Sequence, residues 1–261
     1  MGIISVPLGR LMAVIYSAIP NYGITVIVLS LLIKIILLPL GIKQYNSMNQ
    51  MNKIKPQIER LQQKYKNDKN KLAQETMNLH KEHGINPLGG CLPLVLQLPI
   101  LFALFSVISK PLTYMFSFTK TNILSFQRIL GLTEASNISQ MTIIDEFTNK
   151  MNNIGITGAK LIDLNFFGLN LGLRPSFNKF DILLLVPIIA GVSAFFAAKI
   201  ASKMMPVPTT GSSSANSMSS PQIQVIMSVM ISFSAPAGVG LYWIISNILQ
   251  IIQQFMLDKL A

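Results

Sequence analysis

One charged side chain sits where charge is expensive. Lys34 interrupts the run Ile24–Leu40, ITVIVLSLLIKIILLPL, whose other residues are apolar apart from Thr25 and Ser30. Seventeen residues at about 1.5 Å per residue span most of a hydrocarbon layer roughly 30 Å thick. A lysine at the centre of such a helix costs about 2.5–3.5 kcal/mol on insertion scales. Two arrangements offset that cost. The ammonium can snorkel towards Leu40, about 9 Å away along the helix, or it can face a hydrated cavity within the membrane. Ser30, at i−4, lies on the same helical face and favours the cavity. Other chemistry is sparse. His80 and His83 lie three apart, but the nearest acid, Glu82, faces elsewhere, so both read as surface residues and no metal site is expected. There is no HExxH, no GxxxxGK[ST] phosphate loop and no nucleophile–base pair, so no enzyme and no cofactor are expected. The single Cys91 excludes an internal disulfide and reads as a small packing residue.

The elements that hold Lys34 follow from how charge is distributed. Hydrophobic residues make up 51% of the chain and charged residues only 12%, about half the usual share. No Lys, Arg, Asp or Glu occurs in Leu11–Ile33, His83–Ser109, Ile182–Ala198 or Met204–Leu257. Each gap can hold a membrane helix and the last can hold two. The expected fold is an all-α polytopic membrane protein of five transmembrane helices, with a helical hairpin and an N-terminal interfacial helix. Residues 1–20 form that amphipathic helix, centred on Pro7–Ile19 and ended by Pro20 and Asn21. They carry one Arg and no small-residue cleavage site, and do not read as a cleaved signal. The spans are 21–41, 88–109, 182–200, 222–237 and 238–261, the last including a short C-terminus.

Residues 42–87 are polar and strongly basic, which marks the cytoplasmic side. Ile54, Ile58, Leu61 and Tyr65 form one helical stripe, and Leu72, Thr76, Leu79 and His83 another. Asn67-Asp68 supplies the turn between them, and Pro56 is expected to kink or begin the first helix. Met48 and Met51 are candidates for an adaptable contact surface there. Residues 110–181 have nearly balanced charges and are expected outside, partly structured against the membrane surface. Residues 201–221 read as a cytoplasmic loop, Ser/Gly-rich over Thr209–Ser220. Pro236-Ala237-Gly238 makes a tight outer turn. The N-terminus is then outside and the C-terminus inside.

Three stretches carry a resemblance: NPLGGCLPLVLQLPI (Asn86–Ile100), PAGVGLYWIISN (Pro236–Asn247) and PQIERLQQKYKND (Pro56–Asp68). They resemble the YidC/Oxa/Alb family of membrane protein insertases, in the five-span form of Gram-positive bacteria. The resemblance covers Asn21–Ser109 and Ile182–Leu257. It implies insertion of small membrane proteins into the bilayer of the bacterial cell membrane, without nucleotide hydrolysis, through a hydrophilic groove open to the cytoplasm. It implies that Lys34 is the groove's positive residue and that Ser30, Leu101, Tyr242 and Trp243 contact substrate. Gln97 is a further groove candidate, with hydrogen bonding to a neighbouring helix as its plainer role. Tyr242 and Trp243 could instead be belt aromatics, and Ser246 and Asn247 read as helix-packing contacts. Implied partners are nascent membrane proteins, with the Sec translocon, the ribosome and targeting factors as candidates through the basic hairpin, and anionic lipids. No specific nucleic acid is implied.

Three departures bear on that reading. Lys stands where the family usually has Arg, so the charge is kept without the planar five-donor fork. Ala197 and Ala198 stand where a Gln is often found, which would leave the groove less polar. Beyond the last span only Asp258 and Lys259 are charged, so docking through a basic tail is not expected. A small-solute transporter or channel, and a non-catalytic translocase assembly subunit, are the competing functions. The first would favour inverted repeats, and none is visible.

Overall fold

A computed structural model describes residues 2–84, 92–132, 138–154, 161–176, 181–204 and 221–260. Ten α-helices occur among the described residues: α1 Gly2–Ala18, α2 Tyr22–Lys64, α3 Lys69–Glu82, α4 Leu92–Ser109, α5 Pro111–Tyr114, α6 Lys120–Ile129, α7 Gln140–Asn153, α8 Leu185–Met204, α9 Pro221–Ser234 and α10 Ala237–Leu260. The only described sheet is one antiparallel pair, β1 Asn165–Phe166 with β2 Leu169–Asn170. The protein is an all-α polytopic membrane protein. Three described stretches are long and apolar enough to cross a membrane: α2, Ile182–Ala201 and α10; apolar parts of α4 and α9 are shorter. Cys91, most of the Asn86–Ile100 motif's side chains including Gln97, Met48, and the Thr209–Ser220 loop lie outside the described residues or side chains.

Asn21 sets where the first crossing begins. Its backbone is extended and its side chain accepts a hydrogen bond from the Ile24 amide at 3.1 Å, closing the first turn of α2. α1 starts earlier than its proline suggested, with Pro7 inside it. The helix bond lost there would have used the carbonyl of Ile3, an exposed residue near the chain start. Ser5, Gly9, Met12 and Ile15 recur at helical spacing and form the buried stripe of α1, which packs on α4, α2 and α5.

α2 does not stop at the polarity change near Ile42. It continues as one helix to Lys64, with Pro39 and Pro56 both inside it. The chain then turns at Tyr65–Asp68, and Asp68 caps α3 by accepting from the Lys71 amide at 2.9 Å. α3 folds back on α2 around Ile54 and Ile58, with Met51 and Leu79 packed against them. Met51 is therefore part of the hairpin's own core. His80 is not a surface residue: it is 8% exposed, because Thr76 and His80, four apart, bring it onto the face turned to α2. His83 stays exposed, its Nε2 3.3 Å from Gln57 Oε1.

This burial has a pH consequence. His80 Nε2 has no hydrogen-bond partner among the described residues, and burial holds the imidazole pKa below its usual value of about 6.5. The folded hairpin thus prefers neutral His80, while an opened hairpin takes up a proton as pH drops past about 6.5. Stability is full above that pH and is lost as pH falls through the lowered pKa. Hydrogen exchange in α3, corrected for its intrinsic pH dependence, should accelerate from pH 8 to pH 5. His80→Leu should flatten that dependence; an unchanged dependence would show that His80 is not its source.

On the other side of the bundle, α8 packs on α9 and α10 through small residues. Ala190, Ala194, Ala197 and Ala198 are all buried, which lets the helix backbones approach closely. Asn247 Nδ2 donates to Ser193 Oγ at 3.0 Å in the buried contact between α10 and α8. Asn247 is thus the helix-packing contact its side chain suggested. Ile188, Ile189, Val192, Phe195 and Phe196 are exposed on α8, as a lipid-facing surface requires.

Residues from 110 to 181 do more than lie along a surface. Their described parts form a cap that shares one core with the bundle: Met141, Ile143, Ile144, Ile162 and Leu171 join Met12, Tyr22, Val26, Leu104 and Ile108. Backbone bonds hold it at three places. The Tyr22 amide donates to the Asp163 carbonyl at 3.0 Å, that of Ala237 to Leu173 at 2.8 Å and that of Gly238 to Leu171 at 2.9 Å. The Asp163 amide donates to the Tyr16 hydroxyl at 2.7 Å. The starts of α1's last turn, α2 and α10 are thereby tied to one another through the cap.

Candidate functional site

Three helices converge on Lys34. α2 contributes Ser30, Ile33, Lys34 and Leu37, α4 contributes Ile100, Leu101 and Leu104, and α10 contributes Tyr242, Ser246 and Leu249. Spacings of three and four put each set on one helical face. Together they line an open recess of about 30 Å3. A cavity needs about 10–15 Å3 on this measure to hold one water, so the recess has room for only a few. The wall is mostly aliphatic, with polar groups from Ser30, Lys34, Tyr242 and Ser246.

The recess is blind at the capped end. Tyr22, Val26 and Leu29 of α2, Val107 and Ile108 of α4, and Ala237 and Val239 of α10 are at most 1% exposed. The Tyr22 hydroxyl donates to the Ile108 carbonyl at 2.5 Å across this layer. α4 ends at Ser109, so Ile108 would otherwise stand at a helix end with its carbonyl short of a partner. Lys34 lies about 18 Å along α2 from Tyr22.

The polar groups differ in what they can still do. Ser30 Oγ donates to the Val26 carbonyl at 2.6 Å, so its proton is used within α2 and only its lone pairs face the recess. Tyr242 is buried, with Ser246 one turn on in the same lining. No described carboxylate lies within ion-pair distance of Lys34, whose ammonium is the recess's one cation among the described residues. The arrangement offers hydrogen-bond donors and one positive charge to a polar segment, beside aliphatic walls for an apolar one.

Of the sequence candidates, Ser30, Lys34, Leu101 and Tyr242 come together here. Trp243 does not line the recess: its Nε1 donates to Ser228 Oγ at 2.8 Å and ties α10 to α9. Gln97 belongs to α4, but its side chain lies outside the described ones. Ala197 and Ala198 are buried away from the recess lining. Ser246, whose sequence reading is a packing contact, also lines the recess; its position four after Tyr242 is the signal for that.

Comparison with known sequences bears on this site. The profile of the family described as 60Kd inner membrane protein matches residues 14–261. The chain is 33% identical over 239 residues to the membrane protein insertase YidC of Fusobacterium nucleatum, covering 92% of this chain and 87% of that one. It is 30% identical over 239 residues to the YidC of Clostridium perfringens, covering 91% and 78% respectively. Against the YidC of Syntrophus aciditrophicus it is 31% identical over 264 residues, covering 99% of this chain but only 37% of that longer protein.

Proposed function

Since the chain belongs to the 60Kd inner membrane protein family, we propose that it is a membrane protein insertase that passes small membrane proteins into the bilayer through the Lys34 recess without nucleotide hydrolysis. The observation that carries this is a lysine in a recess that is closed at the capped end, about 18 Å along α2 from Tyr22. A substrate's polar segment must cross a layer in which an unpaired polar group costs several kcal/mol. A hydrated recess shortens the dry part of that path. Lys34 attracts acidic side chains on the crossing segment, and the aliphatic wall and open side let the apolar segment leave into lipid. The recess then opens to the cytoplasm, the cap lies outside, and the basic hairpin faces the ribosome, targeting factors or anionic lipid.

The names of the relatives support insertion as the activity, and the Sec translocon is a candidate partner. The test is purified protein in liposomes presented with a small single-span substrate and no nucleotide. Insertion, read as protease protection, should exceed that of protein-free liposomes. Failure alone with recovery beside a translocon would favour the assembly-subunit function. Solute flux that depends on Lys34 would favour a transporter.

A further inference from the structure

The tip of the β1–β2 hairpin breaks the usual rule for tight turns. Phe166 pairs with Leu169, leaving Phe167 and Gly168 as a two-residue turn with φ of +50° and +79°. Asn-Gly is the favoured pair for such a turn, because both positions need the left-handed region. A bulky aromatic there is strained. Phe167 is also 90% exposed, and its one ring contact among the described residues is the edge of Phe166, 4.7 Å between centroids. A turn that had only to reverse the chain would carry Asn. The protein instead holds a large apolar ring outward.

The surroundings say what it meets. β1 lies against the first turn of α2, where the Phe166 ring occupies the space a side chain at Gly23 would need. Asn21 Nδ2 donates to the Asn165 carbonyl at 2.9 Å and fixes the strand there. β2 packs on the 3-10 turn Ile182–Leu184 that leads into α8. The hairpin is therefore level with the start of two membrane-crossing helices. The first outward side chains of those helices, Ile24, Ile182 and Leu185, are apolar and exposed, as Phe167 is.

We infer that Phe167 inserts into the headgroup region of the leaflet on the capped side and anchors the cap to lipid. Aromatic rings are favoured at that depth, where one face is apolar and the surroundings are wet. The occupant is the bilayer itself, because the hairpin packs at the starts of α2 and of the span that leads into α8, where the outward side chains are apolar.

The test uses the full chain as Phe167→Trp in liposomes containing phosphatidylcholine brominated at shallow or deep acyl positions. The wild-type protein, whose single tryptophan is Trp243, supplies the background. The added tryptophan should lose more than half its emission to shallow bromines, less to deep ones, and should be shielded from aqueous acrylamide. Acrylamide quenching without bromolipid quenching would overturn the proposal and leave the patch to a protein partner. If Trp is not tolerated, a nitroxide on Phe167→Cys in a Cys91→Ser background answers the same question. Relaxation by dissolved oxygen supports insertion, and relaxation by aqueous nickel overturns it.

Discussion

Lys34→Ala, expressed at native levels, should lower insertion of substrates with acidic crossing segments by about fivefold or more, while neutral substrates insert nearly as before. The size follows from Coulomb's law. Unit charges 4 Å apart attract by about 1 kcal/mol in water and about 4 kcal/mol at an effective dielectric of 20. A partly wet recess lies between these limits, and about 1.4 kcal/mol is tenfold. Lys34→Arg should keep most activity, because the charge and not the fork is what an acidic segment meets. Removing the lysine also removes an intramembrane charge, so the alanine variant should be no less stable than wild type. A quantitative comparison of acidic and neutral substrates in liposomes separates these effects. Equal insertion of both by the alanine variant would reduce Lys34 to a snorkelling side chain.

The largest structural effect should come from Tyr22→Ala. The phenol is fully buried in the layer that closes the recess, and its hydroxyl satisfies the Ile108 carbonyl. Truncating a large buried aromatic costs about 3–5 kcal/mol, and the orphaned carbonyl adds about 1–3 kcal/mol. Tyr22→Phe keeps the ring and should lose only about 1 kcal/mol through the missing bond. Thermal unfolding in detergent should therefore rank wild type above Phe, and Phe well above Ala. The alanine variant should also leak protons across liposomes, because it opens the dry layer between recess and cap. Tight vesicles with an unfolding temperature near wild type would mean that the other residues seal the layer without Tyr22.

The membrane character and the shared face of Ser30 and Lys34 were legible because both depend on local pattern. An apolar run with one cation, a stop at Pro20-Asn21 and a Ser at i−4 need no tertiary information. The hairpin stripe around Ile54 and Ile58 was legible for the same reason. The cap was not. Its apolar pieces are short, and the partners that bury them are distant in the chain, as with Tyr16 and Asp163, 147 positions apart. Balanced charge made the segment look solvated, whereas Met141, Ile143 and Ile144 are fully buried. The burial of His80 is not legible in the sequence, because it depends on which way α3 rolls on α2. Ser246 and Trp243 are a similar case. Neighbours on one helix face different partners, and only the positions of α4 and α9 decide which faces the recess.

The unbroken course of α2 makes it a mechanical lever. Its near end is clamped to the cap by the Asp163 and Asn165 carbonyls, and its far end carries the hairpin. Lys34 stands about 18 Å from that clamp and Lys64 about 63 Å, at roughly 1.5 Å per residue. Pivoting about the clamp, a gap that widens by one unit beside Lys34 swings the hairpin end by about three and a half. Pro39 and Pro56, where the bond ladder is interrupted, set the places at which the arm can flex. Whatever wedges into the recess thus broadcasts its presence to the polar end of the molecule with gain, and whatever grips the hairpin acts on the recess with force multiplied by the same ratio.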